Sequence, residues 1–205
     1  VLNNAIDSQN FIANANTRKE IRKELGLEDK FVVGHVGRLH PEKNHDFLID
    51  VFAEIKKKKP DAELILVGTG PLEEKVKSKV VEKGLSDCVH FLGNRKDMNR
   101  IYQAMDVFVF PSLFEGLGIV AIEAQAAGVP IVCSEGLPPE TDITPIYRKL
   151  LLSDGAEKWA NAALEMAQNL KAHTNMQQYV IDAGFDMDAT AKYMESYYLN
   201  RWRTA

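Results

Sequence analysis

Phe31-Val32-Val33-Gly34-His35-Val36-Gly37-Arg38 and Glu63-Leu64-Ile65-Leu66-Val67-Gly68-Thr69-Gly70-Pro71 decide how this chain folds. Each is a short, nearly continuous apolar run that ends in glycine. Such runs read as strands covered on both faces. Between them, Phe47, Leu48, Val51, Phe52 and Ile55 recur at helical spacing through residues 46–59, and Pro60-Asp61 ends the pattern. Strand, helix, strand in this order implies a right-handed crossover and parallel pairing.

The alternation continues outward. Pro71 suits the first position of a helix that shows Leu72, Val76 and Val80 and stops at Gly84. Residues 89–92 read as a third strand. A short helix follows, with Ile101, Tyr102 and Met105 inward and Asp97 as its N-cap. Residues 107–110 form a fourth strand, 118–127 a helix closed by Gly128, 129–133 a fifth strand and 149–152 a sixth. After Ser153 only helical patterns remain, at 155–170, 173–183 and 188–201. The expected fold is α/β: a Rossmann-like parallel sheet with helices on both faces, its core at about 28–153, with a helical C-terminal tail over 154–205.

At 205 residues, 45% of them hydrophobic, the chain can bury one proper core and is not disordered. A net charge of −4 argues against nucleic acid as the main partner. The Lys56–Lys59 run reads as the solvated, dipole-favoured end of a helix. Cys88 and Cys133 lie in apolar runs without metal-ligand or redox spacing, so both are expected to be buried reduced thiols. No apolar run reaches the length of a membrane helix, and Val1-Leu2-Asn3-Asn4 lacks the pattern of a signal peptide. Without an initiator Met the chain is expected to be cut from something longer, in a reduced, cytoplasmic setting.

In an open parallel sheet, ligands bind outside the carboxyl ends of the strands. The loops there carry the chemistry. Gly37-Arg38 and Lys43 place a guanidinium fork and an ammonium at one strand end, a pairing that suits a diphosphate. Read blandly, they are surface cations paired with Glu42 or Asp46. Gly68-Thr69-Gly70 could cradle phosphate on backbone N–H groups, but it lacks the third glycine of a dinucleotide fingerprint; a turn that lets another loop approach closely is the plainer reading. The loop at Gly93-Asn94-Arg95 completes the polar rim.

The sharpest signal is the fourth loop. Glu115 precedes Gly116-Leu117-Gly118 at a helix start, where free N–H groups and the helix dipole favour an anion. Glu115 there is placed to accept from sugar hydroxyls, and Glu123, eight residues on, from a ribose. The bland alternatives are a capping acid and a surface residue, although a carboxylate between Ala121, Ile122, Ala124 and Ala126 needs a partner. His35, His40, His45, His90 and His173 suggest no catalytic dyad; His40 and His45 flank the cationic loop and read as exposed.

Taken together, Gly-Arg…Lys, Val-Gly-x-Gly-Pro, Phe-Pro-Ser-x-x-Glu-Gly and Glu-x7-Glu stand in the order and spacing of the retaining glycosyltransferases of the GT-B fold, family four, which the chain resembles from Asn3-Asn4-Ala5-Ile6-Asp7 to about Thr141. The helical tail also looks like that family's chain end. The group includes many capsular and exopolysaccharide sugar transferases. The resemblance implies a single nucleotide-sugar-binding domain over 1–205, without the N-terminal acceptor domain. It implies that Arg38 and Lys43 hold a donor's diphosphate, that Glu115 contacts the sugar as the catalytic carboxylate, and that the N–H groups of Leu117, Gly118 and Ile119 surround sugar and phosphate. Glu123 would take the ribose, and Gly93-Asn94-Arg95 the base, largely through backbone atoms. No metal or other cofactor is implied. The partners implied are a nucleoside diphosphate sugar, the chain's own N-terminal domain and a saccharide or lipid-linked acceptor, with peripheral attachment of the full-length enzyme to the inner face of a membrane. The isolated domain is expected to be inactive.

Two departures matter. Where the family often continues with Gly-Gly-x-x-Glu, this chain reads Ser134-Glu135-Gly136-Leu137-Pro138-Pro139-Glu140, and Asn44 replaces a common glycine after Lys43. A nucleotide-sugar epimerase of the same architecture and a non-catalytic nucleotide-binding module are the rival readings. A response-regulator-like domain would need acids at the first strand end, where this chain has Arg38 and Lys43.

Overall fold

The computed structural model describes residues 4–169 and 173–203, so Asn3 of the expected lead-in lies outside the described residues. Six strands form one sheet: β1 (Phe31–Val36), β2 (Ala62–Val67), β3 (Val89–Phe91), β4 (Val107–Phe110), β5 (Ile131–Ser134) and β6 (Tyr147–Leu150). Their spatial order is β3-β2-β1-β4-β5-β6, and every neighbouring pair is parallel. β1 and β2 pair over their full length, from Phe31 opposite Ala62 to Val36 opposite Val67. The order reverses direction between β1 and β4, which makes their carboxyl ends the topological switch point.

Period-two alternation sends successive strand residues to opposite layers. Val33, Leu64, Leu66, Val107, Val109 and Val132 meet α2 (His45–Lys58), α3 (Glu73–Glu82) and α6 (Ala156–Asn169) on one face. Val32, Ile65, Val67, Phe108, Phe110 and Ile131 meet α1 (Ala15–Leu25), α4 (Met98–Ala104), α5 (Ile119–Ala126) and α7 (Gln177–Asp182) on the other. The Rossmann-like parallel sheet with two helical layers is therefore present as expected.

Several boundaries differ, each for a local reason. α1 is absent from the sequence reading because its periodic apolar signal is thin: Ile21 is buried, while Arg18 and Arg22 anchor the helix by pairing with the two oxygens of Asp106 at 2.5 Å each. Its caps were the available cue: the Asn14 side chain accepts from the N–H groups of Asn16 and Thr17 at 3.0 Å, and Gly26 takes a left-handed φ of 68°. Pro71 sits in a turn two residues before α3 rather than at its first position. β5 begins at Ile131 because Pro130 has no N–H for the ladder. The sixth strand ends at Leu150, and Leu152 opens a short 3-10 turn. His173 has a φ of 64°, so α7 starts only at Gln177.

Within the expected helical C-terminal segment, α6 and α7 pack onto the two faces of the sheet. Trp159 of α6 is fully buried against the α2 layer, edge-on to Phe47 at 5.4 Å, and its indole N–H donates to Leu151 O at 2.9 Å. Val180 of α7 is equally buried in the opposite layer. The sheet-covering layers run from Ala15 to Asp182, and the last helix, α8 (Met187–Arg203), is mostly exposed. Cys88 and Cys133 are buried free thiols, and burial pushes the Cys133 thiol up to about 12. No described helix is long and apolar enough to cross a membrane.

Candidate functional site

The switch point brings two distant loops together. The loop after β1 makes a short turn over Pro41–Lys43, and Asn44 closes it with φ 52° and ψ 46°. That left-handed conformation explains Asn where glycine is common, since Asn tolerates it better than other side chains. The turn aims Lys43 at the loop after β4. Lys43 Nζ lies 2.6 Å from Glu115 Oε1, and 5.5 Å from the centre of the Phe110 ring. A backbone bond from Leu113 N–H to Glu42 O at 2.7 Å ties the same loops. Glu115 is 8% exposed, so its carboxylate is held by this pairing rather than by water.

Lys43 therefore pairs with neither Glu42 nor Asp46. Glu42 is taken by His40 at 2.6 Å and Asp46 by Lys79 at 2.8 Å. Arg38 differs again: it is exposed and makes no ion pair among the described residues. The cationic rim thus has one tethered member and one free one.

Past Glu115 the chain supplies donors. Gly118 takes φ 72° and ψ 49°, which starts α5 abruptly. The N–H groups of Gly116, Leu117, Gly118 and Ile119 have no acceptor among the described residues. With the dipole of α5 they form a cluster of donors beside the Lys43–Glu115 pair. Gly136 packs behind it: Glu115 N–H donates to Gly136 O at 3.1 Å, and a Cβ at Gly136 would lie 2.5 Å from Leu113 O.

Glu123, just over one turn into α5, is half-buried rather than a surface residue. Its Oε2 accepts from the Tyr102 hydroxyl at 2.9 Å. Burial pushes its carboxyl up from the ordinary carboxylate value, and the Tyr102 hydrogen bond opposes that.

The glycine turn after β2 plays a packing role. A Cβ at Gly68 would lie 2.2 Å from Gly37 O, and one at Gly70 would lie 2.4 Å from Leu39 O. The Gly68 N–H donates to Gly93 O at 2.8 Å and the Gly37 N–H to Val67 O at 2.9 Å. Neither N–H is free for phosphate, so Gly37 and Gly68 let loops nest instead of cradling a ligand with these groups. Asn94 stays exposed, with Oδ1 3.4 Å from Thr69 Oγ1. Arg95 turns away: its guanidinium grips both oxygens of Asp97 at 2.8 Å and reaches Glu24 of α1 at 3.3 Å. The expected approach of this loop to a base is through backbone atoms, which the Arg95 pairing leaves in place. Asp97 stands at the N-cap of α4 but makes no side-chain capping bond, since its carboxylate is engaged by Arg95 and Arg100.

His45 is not the exposed loop residue expected. His45 is 2% exposed and His35 fully buried, with ring centres 4.7 Å apart in an edge-on arrangement beneath the Lys43 loop. His35 Nδ1 contacts Val109 O at 2.9 Å. His35 Nε2 and both His45 nitrogens have no partner among the described residues, and neither has the buried Ser112 Oγ. Burial, helped by Lys43, lowers His45 to about 4; burial, His45 and Lys43 also hold His35 well below its ordinary value. The ten-residue spacing hid this contact, which needs β1 and α2 to be folded together. No group of three His, Cys, Asp or Glu side chains able to hold a metal occurs among the described residues.

Residues 17–199 match the family model described as Glycosyl transferases group 1. EpsF of Bacillus subtilis (strain 168), which bears a glycosyltransferase name, is 34% identical over 169 residues, covering 82% of this chain and 44% of EpsF. The GDP-mannose-dependent alpha-(1-6)-phosphatidylinositol monomannoside mannosyltransferase of Mycolicibacterium smegmatis is 34% identical over 146 residues, covering 66% of this chain and 38% of that protein. The crystal structure of Anabaena Alr3699/HepE in complex with UDP and glucose matches with a TM-score of 0.81 at 25% identity, over 96% of this chain and 56% of that one. The chain thus spans about half the length of the relatives it matches or less.

Proposed function

Since this chain belongs to the glycosyl transferases group 1 family, we propose that it is the donor-binding half of a GT-B glycosyltransferase, gripping a nucleoside diphosphate sugar at the β1/β4 switch point. The observation that carries this reading is the 2.6 Å Lys43–Glu115 pair beside four backbone N–H groups without acceptors among the described residues. Lys43 has three N–H donors, so it can keep Glu115 and still turn another toward a phosphate oxygen. Arg38, exposed and without an ion pair among the described residues, supplies a second cation to the diphosphate. The N–H groups at the start of α5 face the charge that grows on the leaving diphosphate as the sugar departs, which is where fixed donors accelerate transfer. In this reading cations and N–H groups balance that charge and no metal is required.

Glu115 accepts from the donor sugar's hydroxyls through the oxygen that Lys43 leaves open. Glu123 accepts from the ribose. The base lies at the Gly93-Asn94 rim, met by backbone groups and Asn94, with Arg95 bracing the loop through Asp97. Transfer proceeds with retention to a saccharide or lipid-linked acceptor presented by the N-terminal half, in polysaccharide assembly on the cytoplasmic side. HepE's complex with UDP and glucose supports this class of donor, and the EpsF relationship supports glycosyl transfer.

Calorimetry of the 205-residue chain with UDP, GDP and their sugars tests the reading. Binding of one nucleotide series, without turnover by the isolated chain, is expected. A folded chain that binds none of them at millimolar concentration sinks it.

A further inference from the structure

Tyr102 lies on α4 and is fully buried, yet its hydroxyl reaches out of the apolar layer to another helix. That hydroxyl is 2.9 Å from Glu123 Oε2 and 3.2 Å from Val120 O, both on α5. Its single proton goes to the carboxylate, the stronger acceptor. The ring itself cannot swing: it packs against Phe11 at 6.0 Å and Phe108 at 6.0 Å between centres. The core thus fixes the hydroxyl, and the hydroxyl fixes one oxygen of Glu123. The other oxygen, Oε1, has no partner among the described residues.

A half-buried carboxylate with one oxygen clamped and the other open is incomplete as a structural device. A buried phenol satisfied for its own sake needs only the Val120 carbonyl, which is already within reach. We propose that Tyr102 is a positioning residue for nucleotide recognition: it clamps Glu123 Oε2 so that Oε1 is presented to the ribose hydroxyls of the donor. The inference rests on the donor-binding reading of Glu123. It adds that ribose discrimination is set from α4, a helix that carries none of the loops that touch phosphate or sugar. The hydrogen bond also opposes the upward push that burial gives the Glu123 carboxyl, while burial and Glu123 push the Tyr102 hydroxyl well above its ordinary value.

The test pairs each nucleoside diphosphate with its 2′,3′-dideoxy counterpart, UDP and GDP in turn, by calorimetry on the folded chain. Removing the hydroxyls weakens binding to the native protein. Tyr102→Phe deletes only the hydroxyl and is expected to weaken the ribonucleotide about five- to tenfold, near 1 kcal/mol, leaving the dideoxy form unchanged. Its low-pH limb of ribonucleotide binding moves to higher pH, because the carboxyl has lost the bond that lowers its pKa. In a Glu123→Ala background the same change has no further effect. Tyr102→Leu repeats the measurement with a different apolar filling if the Phe variant does not fold. Equal weakening of both nucleotide forms, or none, overturns the positioning role. Should Glu123→Gln leave the ribose-to-dideoxy ratio untouched, the ribose role of Glu123 falls and this inference with it.

Discussion

Two cations of one loop, Arg38 and Lys43, separate function from stability. Arg38 is exposed and unpaired among the described residues, whereas Lys43 neutralises a carboxylate that is 8% exposed. Arg38→Ala is therefore expected to leave stability within about 0.5 kcal/mol while weakening nucleotide binding. Lys43→Met strands the Glu115 charge, costs about 1–3 kcal/mol and weakens binding as well. Urea titration beside calorimetry reads both quantities. Stability loss from Arg38→Ala, or none from Lys43→Met, contradicts the pairing described. At this scale much was legible: both cations, both carboxylates and the glycine loop stand out as residue types at strand ends. Their partners did not. Lys43 and Glu115 are 72 positions apart, and no local pattern links them.

Elements add what single residues hide. The start of α2 carries His45, buried over His35 beside Lys43, where the positive end of the helix dipole also opposes a proton. Its folded value of about 4 lies below the ordinary 6.5. Between those values the unfolded chain binds a proton that the folded chain refuses, so stability is full above 6.5 and is lost as pH falls toward 4. The gap is worth about 3 kcal/mol for this one group. His35, lowered in the same direction, adds to the loss. His45→Phe is expected to shrink the fall in urea midpoint between pH 7 and pH 4.5. Equal falls in native and variant chains would count against a buried neutral pair. Strands β1, β2 and β4 were legible because a doubly covered strand must be apolar throughout. The helix α1 was not, because arginines and Asp106 anchor it where apolar periodicity gives little signal.

Across the whole molecule, the sheet and its two layers draw their core residues from Ile6 to Phe185, and α8 contributes none of them. Tyr193, Tyr197, Tyr198 and Trp202 of α8 are all exposed, the last at 83%. Truncation after Thr190 therefore removes little buried surface. It is expected to shift the melting temperature by less than about 3 °C, equivalent to under 1 kcal/mol, and to leave nucleotide affinity intact. Thermal unfolding and calorimetry of the truncated chain check this, and a larger loss would place α8 within the stable body. From the sequence alone came the α/β class, the parallel sheet and the polar residues that stand at its strand ends, because strand burial, helical periodicity and glycine turns are written locally. Only the tertiary structure decided the rest: the strand order that puts β1 beside β4, the Lys43–Glu115 contact there, the His35–His45 pair and the Tyr102 clamp on Glu123. The physical reason is the same for each. They are contacts between segments that meet only when both helical layers close on the sheet, and side-chain type alone does not say which segment will arrive.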